Sequence, residues 1–120
     1  MSCLQKIECV GLETFDEILC VDAEFSAPPG HRPTPICVVA RETRSGREMR
    51  IWRDELLAMR RAPFRTDRRT LFVSYAAPAE FSVFHSLGWP APARVLDLYA
   101  EFRALTNRLD TPSGLSLIHI

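Results

Sequence analysis

The sequence has no apolar run that approaches the roughly 20 residues a membrane-spanning helix needs. Residues 1–6 also lack the apolar stretch of a secretory signal peptide. Internal repeats and low-complexity segments are missing too. These absences predict a cytoplasmic protein without a membrane partner. Of the 120 residues, 47% are hydrophobic and 25% are charged, which is typical of one globular domain and argues against a disordered chain.

Metal-binding cysteine patterns are missing as well. The four cysteines form no C-x-x-C pair and are not paired with histidines at the spacing of a zinc site. Cys20 and Cys37 stand within apolar, strand-like segments, so we expect both to be small buried side chains. A disulfide framework is not expected.

Lysine is nearly absent, since Lys6 is the one lysine among 15 basic residues. The net charge is zero but unevenly spread: −5 over residues 1–31, +6 over 32–69 and −1 over 70–120. A basic middle beside an acidic start fits a phosphate-binding face next to a metal-binding carboxylate cluster. The alternative is a pair of solvated strands studded with arginine, and we interpret the arginines from Arg41 to Arg53 in this way.

Hydrophobic periodicity and turn residues predict an α/β fold with a mixed sheet. The pattern indicates five strands, over residues 18–25, 35–42, 47–53, 70–76 and 93–98. It also indicates three helices, over residues 54–61, 78–87 and 98–109. The second and third strands should form a hairpin through a turn at residues 43–46, and Asp54 is a plausible N-cap of the first helix.

The sharpest chemical feature is the acidic pair Asp22 and Glu24 at the end of the first apolar strand. Side chains two residues apart in a strand share a face, so these carboxylates should project together. Two like charges repel and are costly to desolvate, and a divalent cation would offset both costs. Oxygen ligands favour Mg²⁺ or Mn²⁺. The alternative is that Glu24 reaches solvent while Asp22 caps the following turn.

Two further acids are candidates for the site: Glu80 follows the fourth strand, and Asp97 lies at the end of the fifth. Glu80 lies in the first turn of the helix over 78–87, where the helix dipole favours a carboxylate. The same helix could instead deliver Glu80 toward the first strand as a third metal ligand. Asp97 is either a fourth acid of this site or the N-cap of the next helix, and we favour the N-cap.

These residues resemble the DEDD-type 3′–5′ exonucleases, which have a ribonuclease H-like fold. The resemblance rests on Asp22-x-Glu24 in the first strand, followed by a hairpin and a strand–helix unit that carries an acid. Residues 71–80, 87–90 and 96–102 are similar to the exonuclease domain of family A, DNA polymerase I-like proteins of phages and mobile elements. The resemblance spans residues 17–114 and implies a ribonuclease H-like mixed sheet with flanking helices.

The resemblance implies proofreading-type hydrolysis of terminal phosphodiesters at a single-stranded DNA 3′ end, in a replication protein that also carries a polymerase domain. It implies two Mg²⁺ or Mn²⁺ ions, one activating a water and the other stabilising the leaving 3′ oxygen. Asp22, Glu24 and Glu80 are then the catalytic metal ligands. Phe25 and Tyr75 are candidates for stacking on a terminal base.

The second motif departs from the family pattern, since Glu80 stands where the family has aspartate and Ala76 replaces an asparagine four residues earlier. The third motif, with its last aspartate and a tyrosine or histidine general base, should follow residue 114. Residues 115–120 resemble a translated sequencing adapter. We therefore expect residues 1–114 to be a partial exonuclease-like domain from a metagenomic read, incomplete at its C-terminus. Alone, the chain should have little or no exonuclease activity.

Two other functions stay open. The departures at Ala76 and Glu80 are compatible with a non-catalytic nucleic-acid-binding module of the same fold with a degenerate site. In an unrelated α/β protein, Asp22 and Glu24 would be no more than surface acids.

Overall fold

The computed structural model describes residues 11–107 and Leu109. The predicted adapter tail, residues 115–120, and both ends of the predicted exonuclease-like domain lie outside the described residues. No helix in the described range is long and apolar enough to cross a bilayer. In chain order, the elements are β1 (Glu17–Ser26), β2 (Thr34–Glu42), β3 (Glu48–Trp52), α1 (Arg53–Ala58), β4 (Thr70–Ser74), α2 (Pro78–Leu87), β5 (Val95–Asp97) and α3 (Leu98–Leu105).

The strands form a mixed sheet in the order β3-β2-β1-β4-β5, with β1 at its centre. β1 pairs antiparallel with β2 and parallel with β4. The β2–β3 pair is antiparallel and the β4–β5 pair is parallel. Gly46 has φ +73° in the turn between β2 and β3, a conformation that glycine adopts without steric cost. The predicted mixed sheet and hairpin are confirmed.

Helix α2 begins and ends as predicted, with Pro78 in its first turn and Gly88 in the left-handed conformation at its C-cap. The third strand differs from its prediction. It ends at Trp52, and α1 begins at Arg53, so Trp52 and not Asp54 occupies the N-cap. The predicted cap is therefore wrong. Asp54 lies in the first turn instead, where its negative charge complements the helix dipole.

The core lies on one face of the sheet. Along β1 the buried residues Leu19, Val21 and Ala23 alternate with exposed ones, as expected of a strand with one covered face. Leu56 of α1 and Phe84 of α2 pack against this face. The buried apolar cluster comprises Leu19, Val21, Ala23, Val38, Ala40, Ile51, Leu56, Phe64, Phe72, Val83, Phe84 and Trp89.

The cysteines do not lie where their apolar surroundings predict. Cys20 is exposed and Cys37 is half-buried. The prediction of burial is wrong for Cys20 because β1 is apolar on both sides of it, so the sequence does not show which face the helices cover. Cys20 falls on the face opposite the core, which is open along β1 although Val73, the partner of Cys20 on β4, is buried there.

Several arginines of the basic middle segment pair with acids at the start of β1. Asp16 contacts Arg69 at 2.7 Å and Arg65 at 3.3 Å, and Glu17 contacts Arg47 at 2.9 Å. The arginines of these pairs are largely exposed. The charge asymmetry along the chain is thus partly neutralised by local pairs at the amino end of β1. Of the arginines from Arg41 to Arg53, this supports the interpretation as a solvated side chain for Arg47.

A buried carboxylate fastens the β2–β3 hairpin to β1. Glu42 is 4% exposed and accepts hydrogen bonds from the backbone N–H groups of Ile18 at 2.9 Å, Arg44 at 2.8 Å and Ser45 at 2.7 Å. These donors lower the pKa of Glu42 from 4.5 to about 2. Because folding favours the ionised form, this contribution to stability is present above about pH 4.5 and is lost as the pH falls toward 2.

We predict that Glu42→Gln lowers the free energy of unfolding at neutral pH by about 1–3 kcal/mol, because it removes the charge from three hydrogen bonds. Urea unfolding followed by circular dichroism measures this difference. The wild-type protein should lose stability between about pH 4.5 and pH 2, and the variant should show a flatter profile there. Glu55→Gln, an exposed change in α1, is the control. Equal stability of the Glu42→Gln variant and the wild type at neutral pH would contradict the prediction.

Candidate active site

Asp22 and Glu24 lie on the sheet face opposite the core, toward the carboxyl end of the central strand β1. Both side chains are exposed, and their partners on β2 are Val39 and Cys37. The prediction that the two carboxylates share a face is confirmed. Their exposure keeps the desolvation cost of two neighbouring charges low. A cation approaching this face from solvent would meet two groups of oxygen donors.

The strand order places this pair where open α/β sheets bind ligands. β2 and β3 lie on one side of β1, and β4 and β5 lie on the other. The parallel strands β1, β4 and β5 have their carboxyl ends on the same side of the sheet, which we call this edge of the sheet. Ligands of such sheets bind outside the carboxyl ends of the strands, at the point where the strand order reverses. The segments that follow β4 and β5 therefore start at the edge that carries the acidic pair.

A β-bulge interrupts the β1–β2 ladder directly after Glu24. Glu24 pairs with Cys37 and Phe25 pairs with Pro35, which leaves Ile36 as the extra residue. Bulges increase the local twist and re-aim side chains, and they recur beside active sites. Phe25 is half-buried and packs against the core. Its role in stacking on a base stays a prediction, and the core contact limits the ring surface that a base could cover.

Glu80 is buried, in contrast to the other two acids. It lies in the first turn of α2, is 3% exposed, and its Oε2 has no hydrogen-bond partner among the described residues. Burial raises the pKa of Glu80 from 4.5 to about 7, and the negative charge of Asp22 acts in the same direction. The two acids are therefore close enough for their charges to interact. A buried carboxyl group that titrates near neutrality is typical of functional sites.

The carboxylate of Asp97 holds two pieces of backbone together at this edge. It accepts hydrogen bonds from the N–H groups of Ala76 and Ala77, both at 2.9 Å, and from those of Tyr99 at 2.9 Å and Ala100 at 3.3 Å. Asp97 therefore caps α3, as predicted, and also fixes the turn that leads into α2. Although burial alone raises it, these four donors bring the pKa of Asp97 below its usual range. Asp97 thus positions the site rather than serving as its fourth acid.

Ala76 has φ +58°, a left-handed conformation that no other non-glycine residue adopts within residues 11–107. This turn ends β4 at Ser74, two residues before its predicted end. An alanine is strained in this conformation by about 1–2 kcal/mol, whereas asparagine adopts it more readily. Position 76 is also where the exonucleases that this sequence resembles carry asparagine. Alanine in place of asparagine at position 76 therefore increases the backbone strain in the turn before Glu80.

Tyr75 lines a cavity of about 200 Å³ beside Asp22. Its half-buried ring packs edge-on against Tyr99, with ring centroids 5.3 Å apart. The hydroxyl group of Tyr75 is buried without a hydrogen-bond partner in the described part of the chain, and that of Ser74 is buried close to the carboxyl group of Glu80. Buried polar atoms normally bond to protein, water or a ligand, so the Tyr75 hydroxyl marks the cavity as a candidate binding site. The contact of Tyr75 with a base stays a prediction. The cavity is lined by Cys20, Val21, Asp22, Val39, Val73, Ser74, Tyr75 and Leu98.

The three candidate metal ligands suit a divalent cation in chemistry but not in position. All three carry carboxylate oxygens, which Mg²⁺ and Mn²⁺ prefer. Within residues 11–107, however, no three Asp, Glu, His or Cys side chains are grouped closely enough to hold a metal ion. Asp22 and Glu24 reach the open face, whereas Glu80 is buried on α2. The structure thus shows an acidic pair and one buried neighbour.

Sequence reasoning missed two features of this edge. One is the contact of Asp97 with Ala76 and Ala77, which no local pattern signals because 20 residues separate the partners. The other is Trp52, which is 62% exposed at the end of β3. Here a signal was available: Ile51 is apolar and points inward, so the alternation along β3 puts Trp52 on the face of Asp22 and Glu24.

The mixed five-stranded sheet with its flanking helices is a ribonuclease H-like fold, so the predicted fold class is confirmed. A solved structure with this fold is the Aedes aegypti Nibbler EXO domain, at a TM-score of 0.59 and 13% sequence identity. The likeness covers 95% of this chain and 62% of that chain, so this chain spans less than two thirds of the Nibbler domain. At 13% identity the likeness shows the fold alone. No protein-family model and no curated protein matches the sequence.

We predict that Glu80→Gln stabilises the metal-free protein at pH 8 by about 1–2 kcal/mol, after allowance for solvent screening. The folded-state pKa of about 7 lies above the ordinary value of 4.5, so stability from Glu80 is present below about pH 4.5 and is lost as the pH rises through 7. Urea unfolding in EDTA at both pH values measures the effect. A difference between variant and wild type that is the same at pH 4.5 and pH 8 would contradict it.

We also predict that Ala76→Asn stabilises the protein by about 0.5–1 kcal/mol, because asparagine tolerates the left-handed conformation better than alanine does. Thermal or urea unfolding measures the change. Ala104→Asn, at an exposed position in α3, is the matched control and should destabilise slightly because asparagine is the poorer helix former. A destabilised Ala76→Asn variant would show that the turn does not have this conformation.

Proposed function

We propose that this chain carries the acidic centre of a 3′–5′ exonuclease domain that hydrolyses the terminal phosphodiester of single-stranded DNA. One observation carries the proposal. The exposed pair Asp22 and Glu24 lies toward the carboxyl end of the central strand of a ribonuclease H-like fold, and the negative charge of Asp22 acts on the buried Glu80. The Nibbler EXO domain has the same fold, which supports this class of reaction.

The proposed reaction is the attack of water on the terminal phosphorus. The bond from phosphorus to the 3′ oxygen of the preceding nucleotide breaks, the water loses a proton, the leaving 3′ oxygen takes one up to become a hydroxyl group, and a nucleoside 5′-monophosphate is released. A bound Mg²⁺ or Mn²⁺ would supply Lewis-acid stabilisation of the developing negative charge. In this proposal Asp22 and Glu24 hold the cation at the open face, and the carboxyl group of Glu80 gives up its proton when positive charge comes close.

The protein context that we propose is a family A, DNA polymerase I-like protein, in which the domain proofreads. Residues 71–80, 87–90 and 96–102 support this, since their similarity to such proteins is the most particular in the chain. These residues run through β4, α2, β5 and α3 and include Asp97, the side chain that fixes the turn before Glu80. The proposed partners are therefore a single-stranded DNA 3′ end and a polymerase domain of the same protein.

A second candidate function is a non-catalytic nucleic-acid-binding module of the same fold. The observation that favours it is the separation of Glu80 from the exposed pair: within residues 11–107 no three acids form a metal-binding group. The strained Ala76 and the glutamate at position 80 are the two departures from the exonuclease pattern, and both lie in this second motif.

We predict that the protein binds Mn²⁺ and that the double variant Asp22→Asn/Glu24→Gln binds it at least tenfold more weakly, because two of the carboxylate donors are lost. Isothermal titration calorimetry measures the affinity. The matched control is Asp54→Asn/Glu55→Gln, which removes two exposed acids from α1 and should leave Mn²⁺ binding unchanged. In parallel, any Mn²⁺-dependent 3′ trimming of a 5′-labelled oligonucleotide should disappear in the Asp22→Asn/Glu24→Gln variant.

The outcomes separate the candidate functions. Equal Mn²⁺ affinity in the wild type and the Asp22→Asn/Glu24→Gln variant would contradict a metal role for the pair. Binding of single-stranded DNA without binding of Mn²⁺ would favour the non-catalytic module. Binding of neither would identify the chain as an α/β protein whose Asp22 and Glu24 are surface acids.

A further inference from the structure

The open face of the sheet continues from the acidic pair across two more strands. In the strand register, Glu24 pairs with Cys37, and Cys37 pairs with Trp52. One row further along, Asp22 pairs with Val39 and Val39 pairs with Arg50. Neighbouring strands lie about 4.8 Å apart, so the β3 side chains start about 10 Å from the acids of β1. Partners in a row share a face, so all of these side chains face the same way.

Trp52 is unusually exposed for a tryptophan on a sheet. Its side chain is 62% exposed, whereas the neighbouring Ile51 is buried and Met49 packs against the core. β3 is an edge strand, with a neighbouring strand on one side alone. Proteins usually protect such edges with charged residues or proline, because an exposed apolar edge attracts other chains. Tryptophan at a surface is instead typical of binding interfaces, where its large rigid ring contacts a partner.

The side chains between the acidic pair and Trp52 are small, so they leave a shallow trough across the face of the sheet. Cys37 and Val39 are small and half-buried. The rim on the β2–β3 hairpin is cationic, since Arg50 of β3 and Arg41 of β2 both contact one carboxylate, Glu48, Arg41 at 3.9 Å. Arg50 remains 73% exposed. The face therefore combines an aromatic ring and an incompletely neutralised guanidinium pair with the acidic pair across a shallow trough.

We propose that Trp52 and Arg50 form a nucleotide subsite for single-stranded nucleic acid whose 3′ end lies at Asp22 and Glu24. A base stacks on the ring of Trp52, and the phosphate beside it contacts the guanidinium of Arg50. Aromatic side chains stack on any base, and a guanidinium binds phosphate through paired hydrogen bonds. This inference rests on the proposed function, because its occupant is the strand that the acidic pair would cleave. It adds a binding surface on the β2–β3 hairpin.

Single-stranded nucleic acid is the ligand of this trough that the observations favour, for two reasons. The trough is continuous with the acidic pair, since both rows run from β1 to β3 without a break in register. Its rim also has the charge that a phosphate backbone requires, since Arg50 is 73% exposed and shares one carboxylate with Arg41. A segment of this chain lying over Trp52 is the alternative, and the test below detects it.

The test uses tryptophan fluorescence of the 120-residue chain in EDTA, where no metal-dependent cleavage occurs. The two tryptophans differ sharply, because Trp52 is exposed and Trp89 is 4% exposed, so a ligand on the open face should quench Trp52 selectively. Titration with oligo(dT) should quench the red-shifted emission, and an abasic oligonucleotide of equal length should quench it less. Both Trp52 variants lack this signal, so the anisotropy of a dye-labelled oligo(dT) measures their affinities beside that of the wild type. Trp52→Ala should weaken binding of oligo(dT) about tenfold, and Trp52→Phe should retain most of it.

Two further variants sharpen the result. Leu57→Ala is the matched control, because Leu57 is as exposed as Trp52 but lies on α1, and it should leave the affinity unchanged. Arg50→Gln should reduce the dependence of the affinity on salt, as expected on loss of one phosphate contact. Equal affinities of Trp52→Ala and wild type for oligo(dT) would overturn the subsite. Blue-shifted emission of Trp52 in the free protein would also overturn it, because a segment of the chain would then cover the ring.

The failure of the subsite is distinguishable from the failure of the proposed function. If Mn²⁺ binds through Asp22 and Glu24 while Trp52→Ala binds oligo(dT) like the wild type, the subsite alone is wrong. If the protein binds neither Mn²⁺ nor oligo(dT), the proposed function is wrong and the subsite falls with it. If oligo(dT) binding depends on Trp52 but Mn²⁺ does not bind, the subsite is supported on a non-catalytic module.

Discussion

Four backbone N–H groups converge on the carboxylate of Asp97, and the arrangement of the candidate site depends on this interaction. Two of the donors belong to the turn between β4 and α2, and two belong to the first turn of α3. The turn contains the strained Ala76, so it needs external support to keep its left-handed conformation. Because α2 begins in this turn, Asp97 also sets where Glu80 lies relative to Asp22.

The acids at this end of the sheet differ in burial, and therefore in the free-energy cost of carrying a negative charge. Asp22 and Glu24 stay exposed on the uncovered face, so water screens their repulsion. Glu80 is buried beside Asp22, and the rise of its pKa to about 7 shows that its ionised form is disfavoured there. The buried hydroxyl of Tyr75, without a partner in the described residues, lies at the same end of the sheet. Such unmet polar groups oppose folding unless something else binds them, which is typical of a binding site.

The parts of this structure that local chemistry determines could be predicted from the sequence. Pro78 and Gly88 delimit α2, Asp97 caps α3, and the spacing of Asp22 and Glu24 puts them on one face. The parts that depend on distant contacts could not. The apolar segment around Cys20 does not show which face is covered, since the helices that cover the other face come 30 and more residues later. Nor does the sequence show that Asp97 reaches back to the turn before α2, or that Glu80 is buried rather than part of an open acidic cluster.

The most direct test of the site is to locate a bound Mn²⁺ by NMR. The paramagnetic ion broadens the carboxyl ¹³C signals of the residues nearest to it. We expect Asp22 and Glu24 to broaden first at substoichiometric Mn²⁺, while Asp16 and Asp67, which pair with arginines at the far end of β1, stay sharp. Broadening that begins at Asp16 and Asp67, or that spreads evenly over the surface carboxylates, would show that Asp22 and Glu24 do not hold the metal ion.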